Sequence, residues 1–298
     1  MPSKLVATLV SNPARPALTR ELAAIAIDAT HSLDIVWLAD GIACDLLLPD
    51  SMDRSMAETI LRDCLAGHAV DVAVQEIASR RRKALIADMD STMINQECID
   101  ELAAEAGFGE MVAKITARAM NGEISFEPAL RERVALLKGL ALTVIDKVLR
   151  ERITLAAGGA ELVATMRADG AWTALVSGGF TRFTGPVAAM LGFDENRANI
   201  LHEQDGFLTG TVAEPILGKQ AKVDALRSVA LQRGLEPGDF IAVGDGANDL
   251  GMLELAGAGV ALHAKPSVAA QADIRIDHGD LTALLYLQGY RQSEFRTK

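Results

Sequence analysis

The 298-residue sequence has few cysteines, and they form no pattern that builds a site. Cys44, Cys64 and Cys98 are odd in number and widely spaced, with no CxxC pair and no metal-binding spacing to histidine. This argues against a disulfide-stapled secreted domain and against a cysteine-based metal site. Reduced, packed thiols in a cytoplasmic protein fit the pattern best.

The sequence also lacks a net positive charge and long apolar runs. Lys and Arg total 29 against 40 Asp and Glu, a net charge of −11, which argues against nonspecific nucleic-acid binding because such binding depends on neutralising phosphates. No apolar run approaches the roughly 18 to 20 residues that span a bilayer, and the N-terminus lacks the apolar core of a signal peptide. We therefore expect no nucleic-acid or membrane partner. A small anionic substrate stays compatible, because the field inside a cleft is local.

Half of the residues are hydrophobic, enough to build the cores of two domains. Residues 1–80 follow the order strand, helix, strand, strand, helix, strand, with Asp40-Gly41 as the turn between the middle strands. That order predicts a ferredoxin-like α+β domain. No catalytic cluster stands out in it, so we expect a regulatory or assembly role.

Residues 81–298 have a different character, beginning after the basic run Ser79–Lys83, which is typical of a solvated linker. Apolar strands alternate with Ala/Leu-rich helices, which predicts a doubly wound parallel sheet covered on both faces. From about residue 95 to 155 the pattern is almost wholly helical and indicates a cap inserted after the first core strand. Strand-like runs return at Trp172–Val176, Phe240–Val243, Val260–Leu262 and Ile274–Ile276.

The segment Asp88–Thr92 directly follows the apolar run Ala84–Ala87. Ligands of open parallel sheets bind beyond the carboxyl ends of the strands, so two carboxylates here would face a ligand. Asp88 could attack phosphorus as a nucleophile, and Asp90 could exchange a proton with the leaving and attacking oxygens. The alternative is an ordinary turn or helix cap, which Asp, Ser and Thr also favour.

A second acidic segment, Gly244–Asp249, follows another apolar run. Mg²⁺ prefers oxygen ligands and is usually held by one or two carboxylates and a phosphate, which suits Asp88 and Asp245 at neighbouring strand ends. A Gly-rich turn is one alternative. A dinucleotide fingerprint is another, although Asp249 stands where that motif needs its third glycine and would repel a pyrophosphate.

Phosphate-binding groups are the third component. Ser177-Gly178-Gly179 ends a further apolar run and offers a hydroxyl and backbone amides to phosphate oxygens. Lys222 could offset the repulsion between a carboxylate nucleophile and a phosphate dianion, with Lys219 as a close competitor. Neither feature carries weight alone, and only their order along the chain makes them credible.

Together the four elements resemble the haloacid dehalogenase (HAD) superfamily, whose pattern is DxDx[ST], a strand-ending Ser or Thr, a Lys, and a GDGxND-type motif. With Asp at both Asp88 and Asp90, the chain is similar to the phosphatases and phosphotransferases of that superfamily. The cap residues Glu97, Met120-Asn121-Gly122, Ser125-Phe126 and Leu130–Val134 resemble the phosphoserine phosphatase family. The implied fold is a HAD-like parallel sheet with a helical cap, preceded by a ferredoxin-like (ACT-like) domain.

The resemblance implies a role for each matching residue. Those at the phosphoryl end are the nucleophile Asp88, the acid/base Asp90, phosphate ligands Ser177 and Gly178, charge-neutralising Lys222, Asn248 on the phosphoryl group, and Asp249 in support. Mg²⁺ would be held by Asp88, Asp245 and the backbone carbonyl of Asp90. At the other end Glu97 would receive the substrate ammonium and Arg133 its carboxylate, with Met120 and Phe126 screening the site.

The implied activity is Mg²⁺-dependent hydrolysis of O-phospho-L-serine to serine and phosphate, the last step of serine biosynthesis. Because ACT-like domains often form dimers, the resemblance also suggests a homodimer through residues 1–80. Three alternatives stay open: a HAD phosphatase or phosphotransferase acting on another small phosphomonoester, an amino-acid-sensing protein, and a dinucleotide-binding oxidoreductase.

Overall fold

The computed structural model describes residues 4–120 and 123–297. The strands described form a four-stranded antiparallel sheet, a six-stranded parallel sheet and a two-stranded hairpin. The antiparallel sheet and its two helices comprise, in chain order, β1 (Leu5–Ser11), α1 (Arg20–Thr30), β2 (Asp34–Ala39), β3 (Ala43–Leu47), α2 (Arg54–Cys64) and β4 (Val70–Glu76).

The antiparallel sheet has the strand order β2-β3-β1-β4, which confirms the predicted ferredoxin-like arrangement. Gly41, in the turn between β2 and β3, has φ of +69°, a conformation that glycine adopts without strain. Helix α1 begins at Arg20, because the Thr19 side chain caps it by accepting a hydrogen bond from the Leu22 N–H.

The rest of the chain alternates strands and helices. In chain order these are β5 (Ala84–Ala87), α3 (Cys98–Glu105), α4 (Gly109–Met120), α5 (Phe126–Ala135), α6 (Leu142–Glu151), α7 (Gly159–Ala168), β6 (Trp172–Phe180), α8 (Thr181–Leu191), β7 (Glu195–Asn199), β8 (Leu201–Gln204), β9 (Phe207–Val212), α9 (Lys219–Arg233), β10 (Phe240–Gly244), α10 (Leu250–Leu255), β11 (Ala258–Leu262), α11 (Pro266–Ala269), β12 (Ile274–Ile276) and α12 (Ala283–Leu287).

The parallel sheet has the order β12-β11-β10-β5-β6-β7, so the prediction of a doubly wound parallel sheet is confirmed. Strand β5 lies at the centre and is buried along its whole length. Its neighbours β10 and β6 are the strands whose carboxyl ends carry the other two predicted motifs. The sheet order therefore brings three motifs to one edge, although they are far apart in sequence.

The helical insertion predicted for residues 95–155 is present as α3 to α6. Its two ends are tied together, since the Asn95 N–H donates to the Thr154 carbonyl and Ile94 pairs with Leu155 in an isolated antiparallel bridge. The hairpin β8–β9 packs against this cap, with the Gly139 N–H donating to the Leu208 carbonyl. The sequence patterns did not indicate β7, β8 or β9, which are short and polar along much of their length.

The basic run Ser79–Lys83 is solvated only in part, since Ser79, Arg81 and Lys83 are exposed whereas Arg80 and Arg82 are half-buried. The Arg80 guanidinium lies 2.7 Å from the Asp45 carboxylate in β3, and both side chains are largely buried. Arg82 donates to the backbone carbonyls of Gly238 and Gly257. These arginines instead fasten the antiparallel sheet and the start of β5 to the rest of the chain.

A second contact between the two sheets uses backbone groups. The buried Asp71 carboxylate in β4 accepts hydrogen bonds from the N–H groups of Asp277, His278 and Gly279, in the loop after β12. Several N–H donors offset the cost of burying an anion. No helix within the described ranges is long and apolar enough to cross a membrane.

Replacing Arg80 with Leu should lower the free energy of unfolding by about 3 kcal/mol, because Asp45 would be left buried without its cation. The control is Arg20→Leu, since the Arg20–Asp40 pair is exposed on both sides and should contribute under about 1 kcal/mol. Urea denaturation followed by circular dichroism measures both. Equal losses in the two variants would contradict the assigned role of the Arg80–Asp45 pair.

Candidate active site

The three sequence motifs meet at the carboxyl edge of the parallel sheet. Asp88 follows β5, and its N–H donates to the Val243 carbonyl at the end of β10. Ser177 lies near the carboxyl end of β6. There the pairing of β6 with β7 shifts register between Val176 and Phe180. Asp245 directly follows β10. Polar side chains from three adjacent strands thus surround one space, as parallel sheets allow.

Lys222, in the first turns of α9, is the buried cation of this site. Its Nζ lies 2.7 Å from Asp88 Oδ1 and 2.5 Å from Asp249 Oδ1, and its side chain is 2% exposed. Desolvation disfavours its charge, but the two carboxylates outweigh that effect and raise the pKa of Lys222. Lys219 is exposed at the start of the same helix, so the structure selects Lys222 between the two sequence candidates.

Asp88 keeps one oxygen open. Its Oδ1 accepts hydrogen bonds from the Met89 N–H and from Lys222, whereas Oδ2 has no hydrogen-bond partner within the described part of the chain. A carboxylate held on one side by a buried ammonium, with its second oxygen free, is oriented towards whatever enters the space in front of it.

Asp90, two residues further on, is half-buried and is held differently. Its Oδ1 accepts from the Cys98 N–H and its Oδ2 accepts from the Ser177 hydroxyl at 3.0 Å. Burial, together with the negative charge of Asp88, raises the pKa of Asp90. Gly179 lies so close that a Cβ there would stand 3.1 Å from Asp90 Oδ2, which explains the glycine at this point.

The site has an excess of carboxylates. Oxygens of Asp88, Asp245 and Asp249 can all lie within 4.8 Å of one another. Asp249 is already engaged by Lys222 and by the Gly246 N–H, so Asp88 and Asp245 are the two that offer ligands to a cation. Burial and the neighbouring Asp88 raise the pKa of Asp245. This donor set, all oxygen and short of positive charge, fits a hard divalent metal.

A cleft of about 520 Å³ separates these groups from the cap. Cap residues on its wall include Glu97, Phe126 and Arg133, and Gly178 and Asn248 line the opposite side. The Phe126 ring lies over the Ser177–Gly179 segment, which the sequence predicts to bind phosphate, and is 3.3 Å from where a Gly178 Cβ would stand. Met120 ends α4, and its side chain lies outside the part of the chain that the structure describes.

The two charged cap residues that the sequence predicted for the site, Glu97 and Arg133, line the cleft in different states. Glu97, at the mouth, accepts from the Ser91 hydroxyl at 2.7 Å, and desolvation together with the charges of Asp90, Asp245 and Asp88 raises its pKa to about 7. Arg133 donates through Nε to the Ala129 carbonyl. Within the described ranges it has no carboxylate at ion-pair distance, so its guanidinium is available to an anionic ligand.

Sequence patterns missed Asn199, which ends β7. Its amide donates to the carbonyls of Gly178 and Leu217 and accepts from the Leu217 N–H at 2.7 Å. It thereby links the Ser177–Gly179 loop to the segment that leads into α9 and Lys222. A single buried Asn in an unpredicted strand has no motif around it, so no sequence signal could have found it.

Residues 85–254 match the family described as haloacid dehalogenase-like hydrolases. The chain is 44% identical over 220 residues to a phosphoserine phosphatase of Haemophilus influenzae, covering 73% of this chain and 70% of that protein. The chain belongs to the phosphoserine phosphatase family. A probable phosphoserine phosphatase of Schizosaccharomyces pombe is 38% identical over 295 residues, 97% of this chain and 96% of its own.

A solved structure supports this membership. The chain matches a probable phosphoserine phosphatase from Vibrio cholerae with a TM-score of 0.78 and 34% identity, over 98% of this chain and 88% of the other. The similarity therefore extends through the antiparallel sheet as well as the HAD-like part.

Replacing Asn199 with Asp should lower kcat/KM on every phosphomonoester, by about tenfold to a hundredfold, because a carboxylate would face two backbone carbonyls and displace the phosphate loop. Asn196→Asp, on the exposed side of the same strand, keeps its acceptor for the Thr184 hydroxyl and should have little effect. Steady-state kinetics on O-phospho-L-serine and on p-nitrophenyl phosphate measure this. A loss confined to O-phospho-L-serine would contradict a role at the phosphoryl end.

Proposed function

We propose that this protein hydrolyses O-phospho-L-serine to L-serine and phosphate through an aspartyl-phosphate on Asp88, the last step of serine biosynthesis. One observation carries the proposal. A single cleft has a Lys222-held carboxylate and a protonatable Asp90 at one end, and Glu97 and Arg133 at the other. Those two ends match a phosphate ester and an α-amino acid, and the names of the relatives agree.

The first step is attack by Asp88 on phosphorus. The free Oδ2 forms the new P–O bond while the bond from phosphorus to the serine oxygen breaks. Lys222 lowers the repulsion between this carboxylate and the phosphate, which at 4 Å and an effective dielectric of 20 is on the order of 4 kcal/mol per pair of charges. Ser177, the Gly178 backbone and Asn248 bind the remaining phosphoryl oxygens, and Asp249 holds Lys222 in place.

Asp90 handles the protons of both steps. Its raised pKa favours the carboxylic acid, which donates a proton to the departing serine oxygen. The resulting carboxylate then removes a proton from the water that attacks the aspartyl-phosphate, which releases phosphate and restores Asp88. In the free protein the Ser177 hydroxyl holds Asp90 at the cleft, and the Cys98 N–H keeps it there once Ser177 donates to the phosphoryl group instead.

Mg²⁺ is the metal that these residues fit. Asp88, Asp245 and the backbone carbonyl of Asp90 would hold it, and when bound it offsets carboxylate charge and polarises a phosphoryl oxygen. Thr92 supports the site from the side, since its hydroxyl lies 3.3 Å from Asp245 Oδ1.

The cap supplies recognition of the amino acid. Glu97 receives the ammonium group and the planar fork of Arg133 receives the carboxylate. Phe126 screens the reacting groups from water when the cap closes over the substrate, and the family resemblance gives Met120 the same role. The paired segments around Ile94 and Leu155 are the connections about which the cap would move.

We also propose that residues 1–80 form a separate regulatory or assembly domain and that residues 81–298 carry catalysis. A homodimer through the first domain is part of this proposal, and exposed apolar side chains such as Ile25 and Met56 on its helices support it. Cys44, Cys64 and Cys98 are all free thiols, which supports a reducing, cytoplasmic location.

Asp88→Asn should abolish turnover, by at least about a thousandfold, because the amide cannot form the acyl phosphate. Asp90→Asn should slow both half-reactions instead. Rapid acid quench and peptide mass spectrometry should find a phosphoryl group on the peptide containing Asp88 in the unaltered protein and none in Asp88→Asn. The exposed cap variant Asp146→Asn is the control. Label on another peptide, or normal turnover by Asp88→Asn, would contradict the nucleophile assignment.

Arg133→Ala should raise KM for O-phospho-L-serine by about tenfold to a hundredfold, since a charge-assisted contact to the carboxylate is lost. The effect on p-nitrophenyl phosphate should be smaller, because that ester has no carboxylate. Arg131→Ala is a matched control, as Arg131 lies on the same helix but pairs with Glu214 at the surface. Equal losses on both esters would count against the carboxylate contact.

The raised pKa of Glu97, about 7, predicts a pH dependence. Below that pH the free enzyme carries a protonated Glu97, which attracts an ammonium group less, so kcat/KM for O-phospho-L-serine should fall as pH decreases through 7. Glu97→Gln should remove this acidic limb and lower kcat/KM across the range. Persistence of the limb in Glu97→Gln would assign it to a different group.

A further inference from the structure

Thr116, on cap helix α4, has a hydroxyl that the protein leaves unsatisfied. Its Oγ1 is shielded from solvent and has no hydrogen-bond partner within the described ranges, while the residue lines the cleft. A helical Thr commonly donates to the carbonyl four residues earlier, but Thr116 does not bond to Val112. An unpaired buried hydroxyl is unfavourable, so its partner is expected to be a group that enters the cleft.

The position of Thr116 in the fold shows which end of the cleft it lines. Helix α4 packs against α3, which begins beside Glu97 and carries Asp100, and against α5, which carries Arg133. The phosphate-binding candidates Ser177 and Asn248 belong to the core sheet on the opposite wall. Thr116 therefore lies on the cap wall of the cleft, among the groups proposed to recognise the amino acid.

The chemistry of that end favours the carboxylate as its partner. An ammonium group there would find two acceptors, since Asp100 lines the wall together with Glu97. Arg133 is the one cationic cap side chain on the described cleft wall, so a carboxylate would bind there. After the guanidinium has bound, the carboxylate oxygens still have lone pairs that can accept hydrogen bonds. A neutral hydroxyl can donate to one of those lone pairs without adding charge.

We propose that the Thr116 hydroxyl donates a hydrogen bond to the α-carboxylate of the bound substrate, beside Arg133, and so helps to select amino-acid phosphates. This rests on the proposed hydrolysis of O-phospho-L-serine. Helical Thr populates two χ1 rotamers, and exchange between them moves Oγ1 and the methyl group past each other, which lets the oxygen turn into the cleft when a carboxylate is present. Ala119, one turn further along α4, leaves room on the same wall.

The test compares Thr116→Val, which keeps the shape and removes the hydroxyl, with Thr116→Ser, which keeps it. The substrates are O-phospho-L-serine and O-phosphoethanolamine, which has the amine and the phosphate but no carboxylate. Thr116→Val should raise KM for O-phospho-L-serine about tenfold with kcat nearly unchanged, and should leave O-phosphoethanolamine unaffected. Thr116→Ser should restore most of the loss. Thr143→Val, at an exposed position of α6, is the control.

Thermal unfolding without ligand separates recognition from packing. Since the hydroxyl is unpaired in the free protein, Thr116→Val should have an equal or higher Tm. A lower Tm with equal losses on both substrates would show a packing role and overturn the proposal, as would an unchanged KM for O-phospho-L-serine. Failure of the proposed function would look different, because the unaltered protein itself would then show no preference for O-phospho-L-serine over O-phosphoethanolamine.

Discussion

Lys222 forms ion pairs with Asp88 and Asp249 in the interior of the catalytic part, and the other features of the site depend on that arrangement. Three charged groups buried together are tolerable only because each has a partner, and removing the lysine would leave two carboxylates facing each other, a change that costs about 3–5 kcal/mol in comparable buried pairs. The same contact orients Asp88 towards the cleft. Structural and chemical roles of Lys222 are therefore inseparable.

The sheet order explains how one lysine can serve several motifs. Strand β5 lies between β10 and β6, so the residues that follow these strands face one another across about one strand spacing. The next strand, β7, contributes Asn199, whose amide links the Ser177–Gly179 loop to Leu217, just before α9. The core thus carries the residues proposed for the phosphoryl end, whereas the cap, attached through two short paired segments, carries the residues proposed to recognise the amino acid.

Much of this could be predicted from sequence. Buried strands and helices give strong periodic patterns, and the acidic and glycine motifs at the strand ends, taken together in their order, resemble those of a known superfamily. What escaped prediction has a common physical cause. Asn199 acts through tertiary contacts that have no local pattern, and only the fold places Thr116 on the cleft wall. Strands β7 to β9 are short and polar along much of their length, and Arg80 and Arg82 look like solvated charges until the folded chain supplies Asp45 and two backbone carbonyls. Sequence shows which groups a chain has, and only the fold shows which of them are paired.

The most direct test of the account is phosphate release from O-phospho-L-serine, measured with Mg²⁺ and with EDTA beside O-phosphoethanolamine and p-nitrophenyl phosphate. The account predicts metal-dependent release with a strong preference for O-phospho-L-serine, because one cleft combines the carboxylate nucleophile with Glu97 and Arg133. Metal-dependent release that favours another ester would keep the chemistry at Asp88 and contradict the recognition assigned to the cap. No release from any of the three esters would contradict the central claim.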